Sequence, residues 1–138
     1  MGRILAVDLG DARTGLAVSD PQGFLAGGIG YIPTKGLSQV AQEVAAKACE
    51  LACELIIIGY PLNMNGTEGP RAEKSKLFSE MLSKLTETPI KLYDERLTTS
   101  SAHVYLSATN INRKKRRQVV DTLSAEIMLQ NYLDSHRR

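Results

Sequence analysis

The chain has 138 residues, 43% hydrophobic and 23% charged, with a formal net charge of +2. That length suits one domain with its own buried core, 1–138, and the apolar and charged fractions exclude a disordered chain. The small net charge excludes indiscriminate attraction to nucleic acid, so such binding has to come from local clusters of Lys and Arg.

Ile4-Leu5-Ala6-Val7 is an apolar run closed by Asp8-Leu9-Gly10-Asp11, as expected of a strand buried on both faces. Thr14 to Ser19 and Gly28 to Pro33 read as two more strands, parted by Pro21 and Gly23, and three strands this close imply antiparallel hairpins. The period then changes. Leu37, Val40, Ala41, Val44, Ala48, Leu51 and Ala52 fall at helical spacing, and Leu55-Ile56-Ile57-Ile58 follows as a β-branched central strand ending at Gly59-Tyr60-Pro61. After a Gly- and Asn-rich loop, Phe78, Met81, Leu82 and Leu85 mark a second helix, and Ile90 to Tyr93 a fifth strand closed by Asp94-Glu95-Arg96. Thr98 and Thr99 can cap a third helix reaching about Ala108, and the basic run Arg113 to Arg117 is expected to separate it from a last helix ending near Asp134. Cys49 and Cys53 read as buried free thiols, since no His or further Cys lies near them.

Helical crossovers make the fourth and fifth strands parallel to a central one, most simply the first, with helices on the sheet faces. The expected fold is therefore α/β: a five-stranded mixed sheet, three antiparallel strands and then parallel ones. No stretch is long and apolar enough to span a bilayer, and Asp8 comes too early for a secretory h-region, so a cytoplasmic protein with no membrane partner is expected.

In open α/β sheets ligands bind at the carboxyl edge of the parallel strands. Asp8 and Glu95, distant in sequence, both arrive there, where carboxylates can share hard cations such as Mg²⁺ or Mn²⁺. Two such ions suffice to hydrolyse a phosphodiester without a covalent nucleophile. Asp121 is the expected third metal ligand, because its helical neighbours Ser124 and Ala125 are small and leave its stripe open. Taken singly, each acid has a plainer reading: a turn former at Asp8, a helix-dipole partner at Asp121, an ion pair between Glu95 and Arg96. Convergence of three segments on one edge favours the metal reading, with Asp8, Glu95 and Asp121 catalytic.

The stretch Asp8-Leu9-Gly10-Asp11-Ala12-Arg13-Thr14-Gly15-Leu16-Ala17 resembles the D-x-G-x-x-R-x-G-x-A opening of the YqgF/RuvX family, small bacterial relatives of the Holliday-junction resolvase RuvC. Gly59 to Thr67, Asp94 to Thr99 and Asp121 to Gln130 are similar to its three later motifs, in the same order. Ser124 departs from the usual Ala, and Glu126 is polar where family members often carry an apolar residue. The resemblance implies an RNase H-like fold and a nuclease acting on structured nucleic acid, the family's proposed role being maturation of the 5′ end of pre-16S rRNA. Its acidic positions map onto Asp8, Glu95 and Asp121.

Arg113-Lys114-Lys115-Arg116-Arg117 is the only dense basic run and could hold phosphates, although such a run is also what a solvated loop looks like. Arg13, Arg96, Asn63 and Asn65 are further candidates for substrate contact, with Asn65-Gly66 equally a turn signal. The substrate is expected to be pre-16S rRNA or branched DNA, and the protein a monomer or a homodimer, two active sites being what a four-way junction needs. Two other readings stand beside this one. An ATP-binding lobe can share the D-x-G opening, but two lobes clamp nucleotide and no Walker motif is present. A non-catalytic RNA-binding or ribosome-assembly module would have no need to keep like charges together.

Overall fold

A computed structural model describes residues 2–95 and 113–136, leaving aside the side chains of residues 113–122. β1 (Arg3–Asp8), β2 (Arg13–Ser19) and β3 (Ala26–Pro33) form an antiparallel meander. α1 (Leu37–Glu50) leads to β4 (Cys53–Tyr60), which pairs parallel with β1. α2 (Pro70–Ser83) leads to β5 (Ile90–Asp94), parallel with β4, and α3 (Arg113–Ser135) follows. The order β3-β2-β1-β4-β5 puts β1 at the centre, antiparallel to one neighbour and parallel to the other, as the crossover argument requires.

The two-residue period of the strands sorts their side chains between two cores. Leu5, Val7, Leu16, Ile56 and Ile58 pack under α1 and α2 with Val40, Val44, Phe78 and Leu82. Ala6, Ala17, Ile57 and Tyr93 point to the other face, where Ala125, Met128 and Leu129 of α3 cover them. Alanines on both sides let α3 approach the sheet closely. Gln130 fixes its direction: its amide accepts from the Ala26 N–H at 2.9 Å and donates to the Phe24 carbonyl at 3.0 Å, so the C-terminal half of α3 lies by the β2–β3 turn. The helix therefore runs antiparallel to β1, its N-terminal half toward the carboxyl edge.

Several element ends shift by a residue or two from the sequence reading, and three helix boundaries have a plain physical cause. α1 stops at Glu50, because Ala52 adopts a left-handed φ of 52° that turns the chain straight into β4. Of the two free cysteines beside that turn, Cys53 is buried as expected but Cys49 is exposed. α2 begins at Pro70, well before its large apolar residues, since Pro is suited to a first helical turn and the early buried positions are the small Ala72 and Ser75. The basic run is not a linker: α3 starts at Arg113, Lys and Arg being good helix formers with no breaker before Asp121. The helix expected from Thr98 to Ala108 lies outside the described residues.

Candidate active site

Asp8 ends β1 and Glu95 follows β5, with β4 between them. Backbones two strands apart lie roughly 10 Å from each other, too far for short side chains to meet over an intervening one. The intervening residue is Gly59, which pairs with Tyr93 of β5 and follows Ile58, the partner of Val7 in β1. A Cβ built on Gly59 would stand 2.8 Å from Cδ of Glu95 and closer still to its Oε1. The Glu95 carboxyl thus fills the space that glycine vacates, and from there it shares a hydrogen bond with the Asp8 carboxyl.

Burial, then the charge and hydrogen bond of Asp8, push the Glu95 carboxyl up to about 8, Asp94 adding to the rise and Arg71 opposing it. Two acids forced together in a half-buried position retain a proton unless a cation replaces it. Such a donor set, oxygen-only and carrying excess negative charge, fits a hard divalent ion. Among the described residues no group of three or more His, Cys, Asp and Glu is placed to hold a metal. The expected third ligand, Asp121, is a residue of α3 whose side chain is outside the described set.

The rim is built by the loops. Gly10 allows the β1–β2 loop to fold onto itself, since a Cβ there would collide with the Arg13 carbonyl. Arg13 is placed over the Tyr31 ring, with Cζ 5.8 Å from the centroid. Lys74, in the first turns of α2, reaches Asp11 of the same loop at 3.1 Å, and Lys74 together with the charge of Arg71 holds the Asp11 carboxyl below its ordinary range. Asn63 and Asn65 serve their own loop: Asn63 Nδ2 donates to Thr67 Oγ1 at 3.0 Å, and Asn65 Oδ1 accepts from the Thr67 N–H at 3.1 Å. That is the turn-forming role expected of Asn-Gly. Glu68 joins the loop to its surroundings, accepting from the Tyr60 hydroxyl, which is pushed up to about 12, and pairing with Lys76 at 3.4 Å. Arg96 is outside the described residues, and of Arg113 to Arg117 only the helical backbone is described.

Sequence reasoning missed Gly59 as a positioning residue and Arg71 as part of the rim. The first was visible only as a motif glycine; the second needed the helix start at Gly69-Pro70 to be recognised. A cleft of about 610 Å³ opens elsewhere, lined by residues such as Ile4, Phe24, Leu55 and Tyr132, at the amino end of β1 and remote from the acids. The raised Glu95 carboxyl lies at the opposite edge, and a perturbed acid is the better guide to chemistry.

A five-stranded mixed sheet in this order, with α1 and α2 on one face and α3 on the other, is the RNase H-like fold. The solved structure of Thermus thermophilus RuvC in complex with a Holliday junction substrate superposes with a TM-score of 0.60 at 11% identity, covering 98% of this chain and 96% of that one. The fowlpox virus Holliday junction resolvase does so with a TM-score of 0.57 at 14% identity, over 96% and 99%. At those identities the likeness is one of fold. Residues 2–135 match the model of the family described as RuvX, Holliday junction resolvase, and the chain belongs to that family. A relative in Clostridium novyi, named "Putative pre-16S rRNA nuclease", is 46% identical over 96% of this chain and 98% of its own length. Relatives of the same name in Listeria monocytogenes and Pelotomaculum thermopropionicum are 42% and 39% identical, over 96% and 99% of this chain and 98% and 89% of theirs.

Proposed function

We propose that the protein is a metal-dependent nuclease that hydrolyses phosphodiester bonds in structured nucleic acid, with the 5′ end of pre-16S rRNA as its substrate. The observation that carries this reading is the Glu95 carboxyl lying in the space over Gly59, at the edge where β1 ends in Asp8. Family membership and the names of the relatives support the same activity.

Asp8 and Glu95 would hold the metal through their oxygens, Glu95 giving up its raised proton as they do so. Mg²⁺ or Mn²⁺ bound there would supply a readily deprotonated water and a counter-charge for the phosphodiester oxygens. Asp121 is assigned as third ligand. It lies four residues before Ala125, which packs in the cluster of Ala6, and that rise of about 6 Å is close to the two-residue advance from Ala6 to Asp8. Gly59 keeps the floor clear. The helical basic run Arg113 to Arg117 would hold backbone phosphates beside the acids, with Arg13 and Arg96 as further contacts and Asn63 and Asn65 shaping the loop that borders them.

The names of the relatives favour RNA, while the family description and the junction-bound RuvC structure support branched DNA as the alternative. Cleavage of a pre-16S rRNA 5′ fragment and a four-way DNA junction, side by side in Mn²⁺, separates them. Preferential cleavage of the RNA at its mature end is the expected result; cutting of the junction alone would transfer the assignment to DNA, and cutting of neither would end the nuclease reading.

No helix among the described residues is long and apolar enough to cross a membrane. Action on ribosomal precursor RNA would place the protein in the cytoplasm.

A further inference from the structure

We infer that Arg71 binds the phosphate to be cut, its guanidinium holding a non-bridging oxygen beside the Asp8 and Glu95 carboxyls. Pro70 opens α2 and Arg71 follows it, exposed, at the carboxyl edge of the sheet. Three residues on and on the same side of the helix, Lys74 is anchored 3.1 Å from Asp11. This turn of α2 is therefore held against the loop that leaves Asp8. Asp11 stands three residues after Asp8, so the contact brings Arg71 to the edge where β1 ends, and the charge of Arg71 helps to lower the Asp11 carboxyl.

A bland role, neutralising the acids, accounts poorly for this placement. Lys74 already pairs with Asp11, so that carboxylate has its counter-ion without Arg71. Once a divalent cation occupies the acids, a neighbouring guanidinium is repelled unless an anion comes between them. A phosphodiester is that anion: one non-bridging oxygen faces the metal site and the other is open to the planar N–H fork of an arginine. Negative charge grows on those oxygens during displacement, so the contact strengthens in the transition state.

This assignment rests on the nuclease reading, and its test keeps the two apart. Binding of an uncleaved, fluorescein-labelled pre-16S rRNA fragment is measured in Ca²⁺ over a range of salt, for wild type, Arg71→Ala, Arg71→Lys and a control, Lys84→Ala, at the far end of α2. Cleavage in Mn²⁺ and Mn²⁺ affinity are measured on the same proteins. Arg71→Ala is expected to lower the salt slope by about 0.7 to 0.9, one phosphate contact. It should also reduce kcat/KM roughly 10- to 100-fold, mostly in kcat, with Mn²⁺ affinity unchanged or slightly higher. Arg71→Lys should restore the slope but only part of kcat, and Lys84→Ala should change neither. An unchanged salt slope, or Mn²⁺ affinity falling in step with cleavage, overturns the assignment. Were wild type itself inactive, the nuclease reading would fall while the salt slope still decided whether Arg71 holds a phosphate.

Discussion

The carboxyl of Glu95 occupies the space that a side chain on Gly59 would need, its Cδ only 2.8 Å from the ideal Cβ position. Gly59→Ala is therefore expected to push Glu95 away from Asp8 without entering the hydrophobic core. Cleavage should fall at least about 100-fold and Mn²⁺ affinity about 10- to 100-fold, the range seen when a metal ligand loses its orientation. Far-ultraviolet circular dichroism checks that the fold persists. Wild-type activity in this variant would mean that the contact does not position Glu95.

The raised Glu95 carboxyl makes the metal-free protein sensitive to pH. Its ordinary value is 4.5 and its folded value about 8, so between those limits the native state keeps a proton that the unfolded chain has lost. Stability then falls as pH rises through this window and levels off above it. Melting temperature should drop by at least a few degrees between pH 5 and pH 8.5. Glu95→Gln should flatten the curve, and Mn²⁺ should recover the loss at the alkaline end by binding the native state. Equal pH profiles in wild type and Glu95→Gln would contradict the shared proton.

Ala52 offers a prediction independent of the site. Its φ of 52° is strained for any residue with a Cβ, and the gain from relieving it exceeds the chain entropy that glycine adds. Ala52→Gly should stabilise the protein by roughly 0.5 to 1 kcal/mol in urea unfolding, with cleavage unaltered. A loss of stability would show that the turn is held by something other than backbone conformation.

What could be read from the residues follows the strength of their periodicity. The unbroken apolar runs around Leu5 to Val7 and Ile56 to Ile58, buried on both faces, identified the central strands, and the helical crossovers then implied the parallel pairs. From those, the sequence alone puts Asp8 and Glu95 at one edge. The start of α2 was obscured because its first buried residues are Ala72 and Ser75, neither of which signals a core. Arg71 was hidden with it. The start of α3 was obscured by charge: five consecutive basic residues look like a solvated linker, yet Lys and Arg are each good helix formers. Gly59 was legible as punctuation at the end of a strand, but its purpose depends on Glu95 crossing a neighbouring strand, a relation that no local pattern encodes.

The claim that most depends on the geometry is that Asp8 and Glu95 bind a divalent ion as a pair. A titration of Mn²⁺ followed by electron paramagnetic resonance at pH 8 tests it without substrate. Wild type is predicted to bind, and Asp8→Asn and Glu95→Gln each to weaken binding at least about tenfold, as expected when one of few carboxylate ligands is lost. Binding that neither substitution changes would contradict the account.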